Sequence, residues 1–112
     1  MGAFILHAPA FDDSGVLIRA IGHHGSWGVS GQQLEHLMRY AEGLGIGRDA
    51  WPDCTAKRLS AREIKSRCQW LDARLAMIDD RQVQSFLLDS GEPLLARIRD
   101  VLREGQLIAI TH

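Results

Sequence analysis

Two adjacent histidines within a frame of glycines are the first residues that suggest chemistry. His23 and His24 lie in the stretch IGHHGSWG, between Gly22 and Gly28. Zinc needs three or four ligands from histidine, cysteine and carboxylate side chains. Neighbouring residues in extended chain point to opposite sides, and no C-x-x-C, H-x-x-x-H or H-E-x-x-H spacing occurs. We therefore expect no metal and no cofactor, and interpret the stretch as a glycine-bracketed turn between an apolar segment and a helix.

The two cysteines offer a second route to catalysis, through a thiol nucleophile. Cys54 lies in the predicted loop segment PDCT, whereas Cys68 lies on the apolar stripe of a predicted helix, as is typical of a buried thiol. Covalent catalysis also needs a base and a group that orients it. No such set converges in the sequence, so we expect no catalytic residues and a protein that is not an enzyme. A small metal- or Cys/His-dependent enzyme is the second alternative to the main prediction below.

The composition is that of an ordinary globular protein. The 112 residues include 13 Lys and Arg against 14 Asp and Glu, a formal net charge of −1, and 46% are hydrophobic. This length predicts a single domain over residues 1–112. There is no apolar run of about 18 residues, which a membrane helix would require, and two cysteines do not indicate a disulfide framework. We expect a cytoplasmic protein without a membrane partner.

Capping boxes predict the starts of the first two helices. In this pattern a Ser or Thr side chain and a Glu or Gln side chain three residues later each bond the other's free backbone N–H. Ser30 with Gln33, and Ser60 with Glu63, fit it. Apolar residues then recur at helical spacing, and Gly43 and Gly45 end the first helix. The predicted inward faces are Leu34, Leu37, Met38, Ala41 and Leu44 in the first helix, and Ile64, Cys68, Leu71, Leu75 and Ile78 in the second.

Two further helices are predicted in the second half of the chain. Arg81–Leu88 has the pattern of a short helix, and Pro93 suits the first turn of a last helix that stops at Gly105. The predicted inward residues are Val83, Phe86 and Leu87 in the short helix, and Leu94, Leu95, Ile98, Val101 and Leu102 in the last one.

Apolar runs near both ends predict strands. These runs are Ala3–His7 and Gln106–Thr111. Val16–Ile21 fits either a strand or two helical turns, and we interpret it as a strand because of its β-branched residues. The predicted fold class is therefore α+β, with three to four helices packed on a small sheet formed by the N- and C-terminal strands.

An aromatic and basic face of the second helix predicts contact with another protein. On a helical wheel Trp70, Arg74, Met77 and Arg67 lie apart from the apolar stripe. Trp and Arg are enriched among the residues that dominate binding energy at interfaces. The long loop before this helix adds Trp51 as a fifth candidate. As an alternative, Trp70 covers the edge of the core.

A second face of the same helix predicts nucleic-acid binding as the main alternative. Four polar residues form one stripe, which Asp72 continues with the opposite charge. The chain as a whole lacks the basic excess typical of nucleic-acid-binding proteins, and the long loop between the first two helices does not fit a helix-turn-helix motif. The stripe consists of Arg58, Arg62, Lys65 and Gln69.

We therefore expect a small protein-binding module. A bacterial or phage inhibitor, immunity protein or antitoxin, which acts by stoichiometric occlusion of a partner, fits this size and the lack of catalytic motifs. The expected partner is another protein. Nucleic acid and a homodimer are the alternatives.

Overall fold

Four helices form the larger part of the regular structure in the computed structural model, which describes residues 3–7, 10–11, 17–18, 26–47, 60–106 and 108–111. The radius of gyration is 13.4 Å, close to the roughly 13 Å expected of a compact chain of this length. A small compact unit with four helices is thereby confirmed, whereas the single-domain assignment stays a prediction. The elements are β1 (Ala3–His7), β2 (Ala10–Phe11), β3 (Leu17–Ile18), β4 (Ser26–Val29), α1 (Gly31–Gly43), α2 (Ala61–Leu75), α3 (Arg81–Gln84), α4 (Leu94–Arg103) and β5 (Ile108–Thr111).

The core is built from the apolar stripes of α1, α2 and α4. Every predicted inward residue of α2 and α4 is buried, and α2 packs directly against α4. In α1 four of the five are buried, while Leu44 is partly exposed and packs against the core. Helical periodicity therefore identified these three helix faces correctly.

One of the two predicted capping boxes is present. The Glu63 backbone N–H donates to Ser60 Oγ at 3.1 Å, and the Ser60 N–H donates to Glu63 Oε1 at 3.4 Å. At α1 the prediction is wrong, because the Ser30 side chain forms no capping hydrogen bond. Ser30 follows β4 without an intervening residue, and α1 begins through the backbone alone, with the Leu34 N–H donating to the Ser30 carbonyl at 3.0 Å.

The end of α1 explains why a glycine follows it. Gly45 has φ +88°, a conformation that side-chain-bearing residues rarely adopt. Its N–H donates to the Glu42 carbonyl, and the N–H of Ile46 donates to the Ala41 carbonyl at 2.9 Å. This pair of bonds satisfies carbonyls at the helix end, and buried Ile46 anchors the turn in the core.

The strands form two antiparallel groups in the described residues. β1 lies between β4 and β5, with Phe4 opposite both Gly28 and Thr111, and β2 pairs with β3. Of the predicted strand Val16–Ile21, only Leu17–Ile18 belongs to the described residues, and it is a strand. The assignment of the whole fold to the α+β class stays a prediction.

The segment before α1 differs from its prediction. Ser26–Val29 form β4 rather than a turn, and Trp27, which belongs to the predicted turn, is only 9% exposed. His23, His24 and Gly22 lie outside the described residues. Four residues that include a glycine are too short a run for apolar alternation to reveal a strand.

Gly28 serves close packing in β4 rather than a turn. A Cβ built there would overlap the carboxylate of Asp89, whose Cγ would lie 3.0 Å away. The Asp89 N–H also donates to the Gly28 carbonyl at 2.8 Å, and Val29 forms a bridge with Leu88. The turn after α3 therefore lies against β4 at the one position that has no side chain.

The segment after α3 corrects the prediction for Leu87. Helix α3 ends at Gln84, so Phe86–Leu88 continue in non-helical chain and alternate between inside and outside. Val83 and Phe86 are buried as predicted, and Leu88 is buried as well, whereas Leu87 is 47% exposed.

The Gly28 contact predicts a specific stability effect. Gly28→Ala should lower the free energy of unfolding by about 1 kcal/mol, because the new methyl group displaces the Asp89 carboxylate. The same change in an Asp89→Ala background should cost nothing or stabilise, since alanine suits a strand better than glycine. Denaturant unfolding of the wild type, the two single variants and the double variant measures both values. Equal costs in both backgrounds would contradict this role for Asp89.

The C-terminal strand is expected to be essential for folding. Ile108 in β5 is fully buried, and β5 pairs with β1 along four residues. A chain that stops at Gly105 should therefore show no cooperative thermal transition by circular dichroism. Ile108→Ala in the full chain should retain a transition but lose about 2–5 kcal/mol. A truncated chain that is soluble and unfolds cooperatively would refute this prediction.

Candidate functional interface

The outer face of α2 carries four of the five residues predicted to bind a protein. Trp70 is 39% exposed and Met77, just beyond the helix, is 60% exposed, while the side chains of Arg67 and Arg74 are also exposed. Spacings of three and four residues place them along one side of the helix. We call these four residues the Trp70 surface. The fifth candidate, Trp51, lies outside the described residues.

Arg74 holds the centre of this surface in place. Its guanidinium lies over the Trp70 ring, 5.3 Å from the ring centroid, and its Nη1 donates to the Leu44 carbonyl at 3.3 Å. Leu44 is the C-cap of α1, where the helix dipole favours a positive charge. The contact of a guanidinium with an exposed aromatic ring is worth about 0.5–1 kcal/mol. Arg74 thus links the end of α1 to the position of Trp70.

Trp27, the other tryptophan that the structure describes, shows how a tryptophan of the core differs from Trp70. Arg97 lies over the Trp27 ring at 5.2 Å from its centroid, so the two pairs have similar separations. Trp27 nevertheless belongs to the buried core, whereas Trp70 does not. Trp70 is therefore accessible to a partner, and its role at an interface stays a prediction.

A groove beside Trp70 was not found by sequence reasoning. It has a volume of about 760 Å³, and Gly45 and Gly47 line it opposite Arg62, Arg67 and Trp70. The sequence offers only a weak signal for it, since Gly45 is predicted there as part of a helix stop. Both glycines contribute backbone rather than side chain to the groove lining.

The predicted nucleic-acid stripe is exposed where the structure describes it. Arg62, Lys65 and Gln69 are all exposed, and Arg58 lies outside the described residues. Asp72 continues the stripe with the opposite charge. Its carboxylate accepts hydrogen bonds from Arg99 Nε at 2.8 Å and from Arg103 Nε at 3.4 Å. These two arginines of α4 offset the charge of Asp72, while Glu104 lines the same groove as Lys65 and Asp72.

The described residues offer little for catalysis. Burial raises the pKa of the Cys68 thiol to about 11, because the charged form would lose its hydration. Cys68 therefore remains protonated and unreactive near neutral pH. No group of three histidine, cysteine or acidic side chains suited to a metal occurs in the described part of the chain. The candidates Cys54, His23 and His24 lie outside it.

Among the described helices none has the length and apolar character to cross a membrane. The chain matches no protein-family model, no curated protein and no solved structure.

Proposed function

We propose that this protein is a non-enzymatic protein-binding module and that the Trp70 surface is its contact site. The observation that carries the proposal is an exposed tryptophan held by Arg74 on one face of α2, with Arg67 and Met77 beside it. A large aromatic ring offers much apolar area, and arginine adds directional hydrogen bonds. Because Arg74 already restricts the ring, less side-chain entropy is lost when a partner binds.

The proposed mechanism is stoichiometric occlusion. α2 presents its outer face from a preformed scaffold and covers a functional surface of the partner, in the manner of an inhibitor, immunity protein or antitoxin. We propose an α+β scaffold, in which β1 pairs with β4 and β5 and α2 is braced by α4. Rigidity favours this mechanism, since a preorganised surface binds with a smaller entropic cost.

Replacement of the tryptophan should separate binding from folding. Trp70→Ala should weaken binding to the cognate partner by about 2 kcal/mol or more, roughly 30-fold in Kd. The partner is identified by affinity capture with the wild-type chain and mass spectrometry, and the purified complex is measured by calorimetry. Thermal unfolding should change little, because Trp70 lies outside the buried core.

Leu87→Ala is the matched control, since Leu87 is another exposed large hydrophobic residue but lies after α3. It should leave the affinity unchanged. The proposal fails if Trp70→Ala and Leu87→Ala bind the partner equally well, or if Trp70→Ala unfolds the protein. In the second case Trp70 would be a structural residue.

Nucleic-acid binding is the second candidate, and the pairing of Asp72 favours it. Lys65, Arg99 and Arg103 against Asp72 and Glu104 give this face a local excess of one positive charge. Phosphate neutralisation by such residues makes binding depend strongly on salt. The overall charge of −1 argues against this candidate.

Charge reversal tests the nucleic-acid candidate. Under it, Arg62→Glu with Lys65→Glu should abolish binding to a DNA duplex, and wild-type affinity should fall steeply between low and physiological salt. Fluorescence anisotropy measures both effects. Arg81→Glu, which changes an exposed arginine at the start of α3, is the control and should have little effect. The absence of binding by the wild-type chain at low salt would exclude this candidate.

A further inference from the structure

The arginines around Trp70 differ from most others in the described residues because they have no acidic partner. Arg39 pairs with Glu35, Arg97 with Glu92, and Arg99 and Arg103 share Asp72. Within the described ranges, the basic side chains outside any ion pair are Arg62, Lys65, Arg67, Arg74 and Arg81. All but Arg81 belong to α2, so unpaired positive charge is concentrated on this helix.

One acidic residue, Glu63, lines the groove, and within the described residues it forms no ion pair with these arginines. Glu63 Oε1 accepts hydrogen bonds from the backbone N–H of Ser60 at 3.4 Å and from its hydroxyl at 3.1 Å. The capping box therefore holds this carboxylate at the first turn of α2. Arg62 and Arg67 line the same groove as Trp70 and form no ion pair within the described residues. Among the described residues, the groove lining combines an apolar ring with two arginines and one carboxylate, which leaves a net positive charge of one.

We infer that the partner segment that binds the Trp70 surface is acidic, with carboxylates at Arg67 and Arg74 and an apolar side chain on Trp70 between them. This inference rests on the proposed protein-binding function and specifies the chemistry of the partner. Charge complementarity is its basis, because a carboxylate accepts hydrogen bonds from the arginine fork in a bidentate geometry. The groove volume of about 760 Å³ is within the range of sites that bind small ligands or side chains.

The helix geometry specifies the spacing that such a segment needs. Arg67 and Arg74 are seven residues apart, which corresponds to about 10 Å along the axis. In an extended peptide, alternate residues lie on one side, and residues four apart are separated by about 13 Å. The flexible arginine side chains bridge the small difference. The expected pattern is acid–x–apolar–x–acid, with the apolar residue over Trp70.

An acidic protein segment fits this surface better than a nucleic acid does. Met77 extends the surface with an apolar side chain, whereas Asp79 and Asp80 lie two and three residues further on and would repel a phosphate backbone that continued in this direction. Nucleic-acid binding in general needs several phosphate contacts. The Trp70 surface offers only Arg67 and Arg74 in one line.

Peptide binding to the full chain tests the inference. The probes are synthetic peptides with the central sequence Glu-Ser-Leu-Ser-Glu, its neutral counterpart Gln-Ser-Leu-Ser-Gln, and a single-stranded oligothymidylate of similar length. Binding is followed by NMR through the indole N–H signal of Trp70, assigned with Trp70→Phe. The acidic peptide should shift this signal saturably and bind about tenfold more tightly than the neutral one.

A charge-reversed variant and a matched control locate the effect. Arg67→Glu should remove the preference for the acidic peptide, and Arg81→Glu, which changes the net charge equally, should keep it. The inference is overturned if the acidic peptide causes no saturable shift, if the neutral peptide binds equally well, or if the oligothymidylate binds more tightly.

The captured partner separates this inference from the proposed function. If its binding falls with Trp70→Ala but not with Arg67→Glu, the partner segment is not acidic and the protein-binding function stands. If Trp70→Ala has no effect on the partner, the proposed function itself fails. Loss of binding with both variants supports the function and the acidic partner together.

Discussion

The burial of one apolar stripe of α2 determines the orientation of everything else on that helix. Ile64, Cys68, Leu71 and Leu75 are all buried, and so is Ile78 just beyond the end of the helix. Burial of a large aliphatic side chain contributes about 1.5–3 kcal/mol, whereas an exposed ion pair contributes about 0–1 kcal/mol. The stripe therefore decides how α2 is rotated against α4. The outward direction of Trp70 and Arg67 follows from that rotation.

The end of α1 supplies the second constraint on the Trp70 surface. The turn at Gly45 directs buried Ile46 into the core and leaves the Leu44 carbonyl within reach of Arg74. The same guanidinium contacts the Trp70 ring. The Arg74 side chain thus connects the exposed Trp70 ring to the end of α1, which buried Ile46 anchors in the core. Substitution at Gly45 would act on Trp70 without touching it, because a side chain is strained at φ +88°.

Sequence periodicity predicted the helices because three or more turns repeat the same signal. The inward faces of α2 and α4 were predicted residue by residue, and Ser60 with Glu63 marked the start of α2 correctly. Short elements carry no such repetition, which is why β4 and Trp27 were assigned to a turn. The Ser30 capping box failed for a related reason. It is a local pattern of two residue types, and a match to it does not ensure that the side-chain hydrogen bond forms. Leu87 was misplaced because the change from helical to extended chain after Gln84 reverses which side chains point inward.

The candidate interface was only partly accessible to sequence reasoning. A helical wheel placed Arg67, Trp70 and Arg74 on one face, but it could not indicate that Gly45 and Gly47 line a groove together with Arg67 and Trp70. Nor could it indicate that Asp72 is paired by Arg99 and Arg103, since these residues are 27 and 31 positions away. Contacts between distant segments depend on packing rather than on local pattern.

The distribution of charge on α2 has little to do with the stability of the fold. Exposed ion pairs contribute so little that Arg67 would lose almost nothing by having no carboxylate partner, and gain almost nothing from one. Burial of the apolar stripe supplies the free energy that α2 contributes to folding, and this stripe lies on the inward face of the helix. The outer face is therefore free to carry residues that folding does not require. An exposed tryptophan flanked by arginines therefore costs the fold little, and its position on this face fits the protein-binding role that we propose.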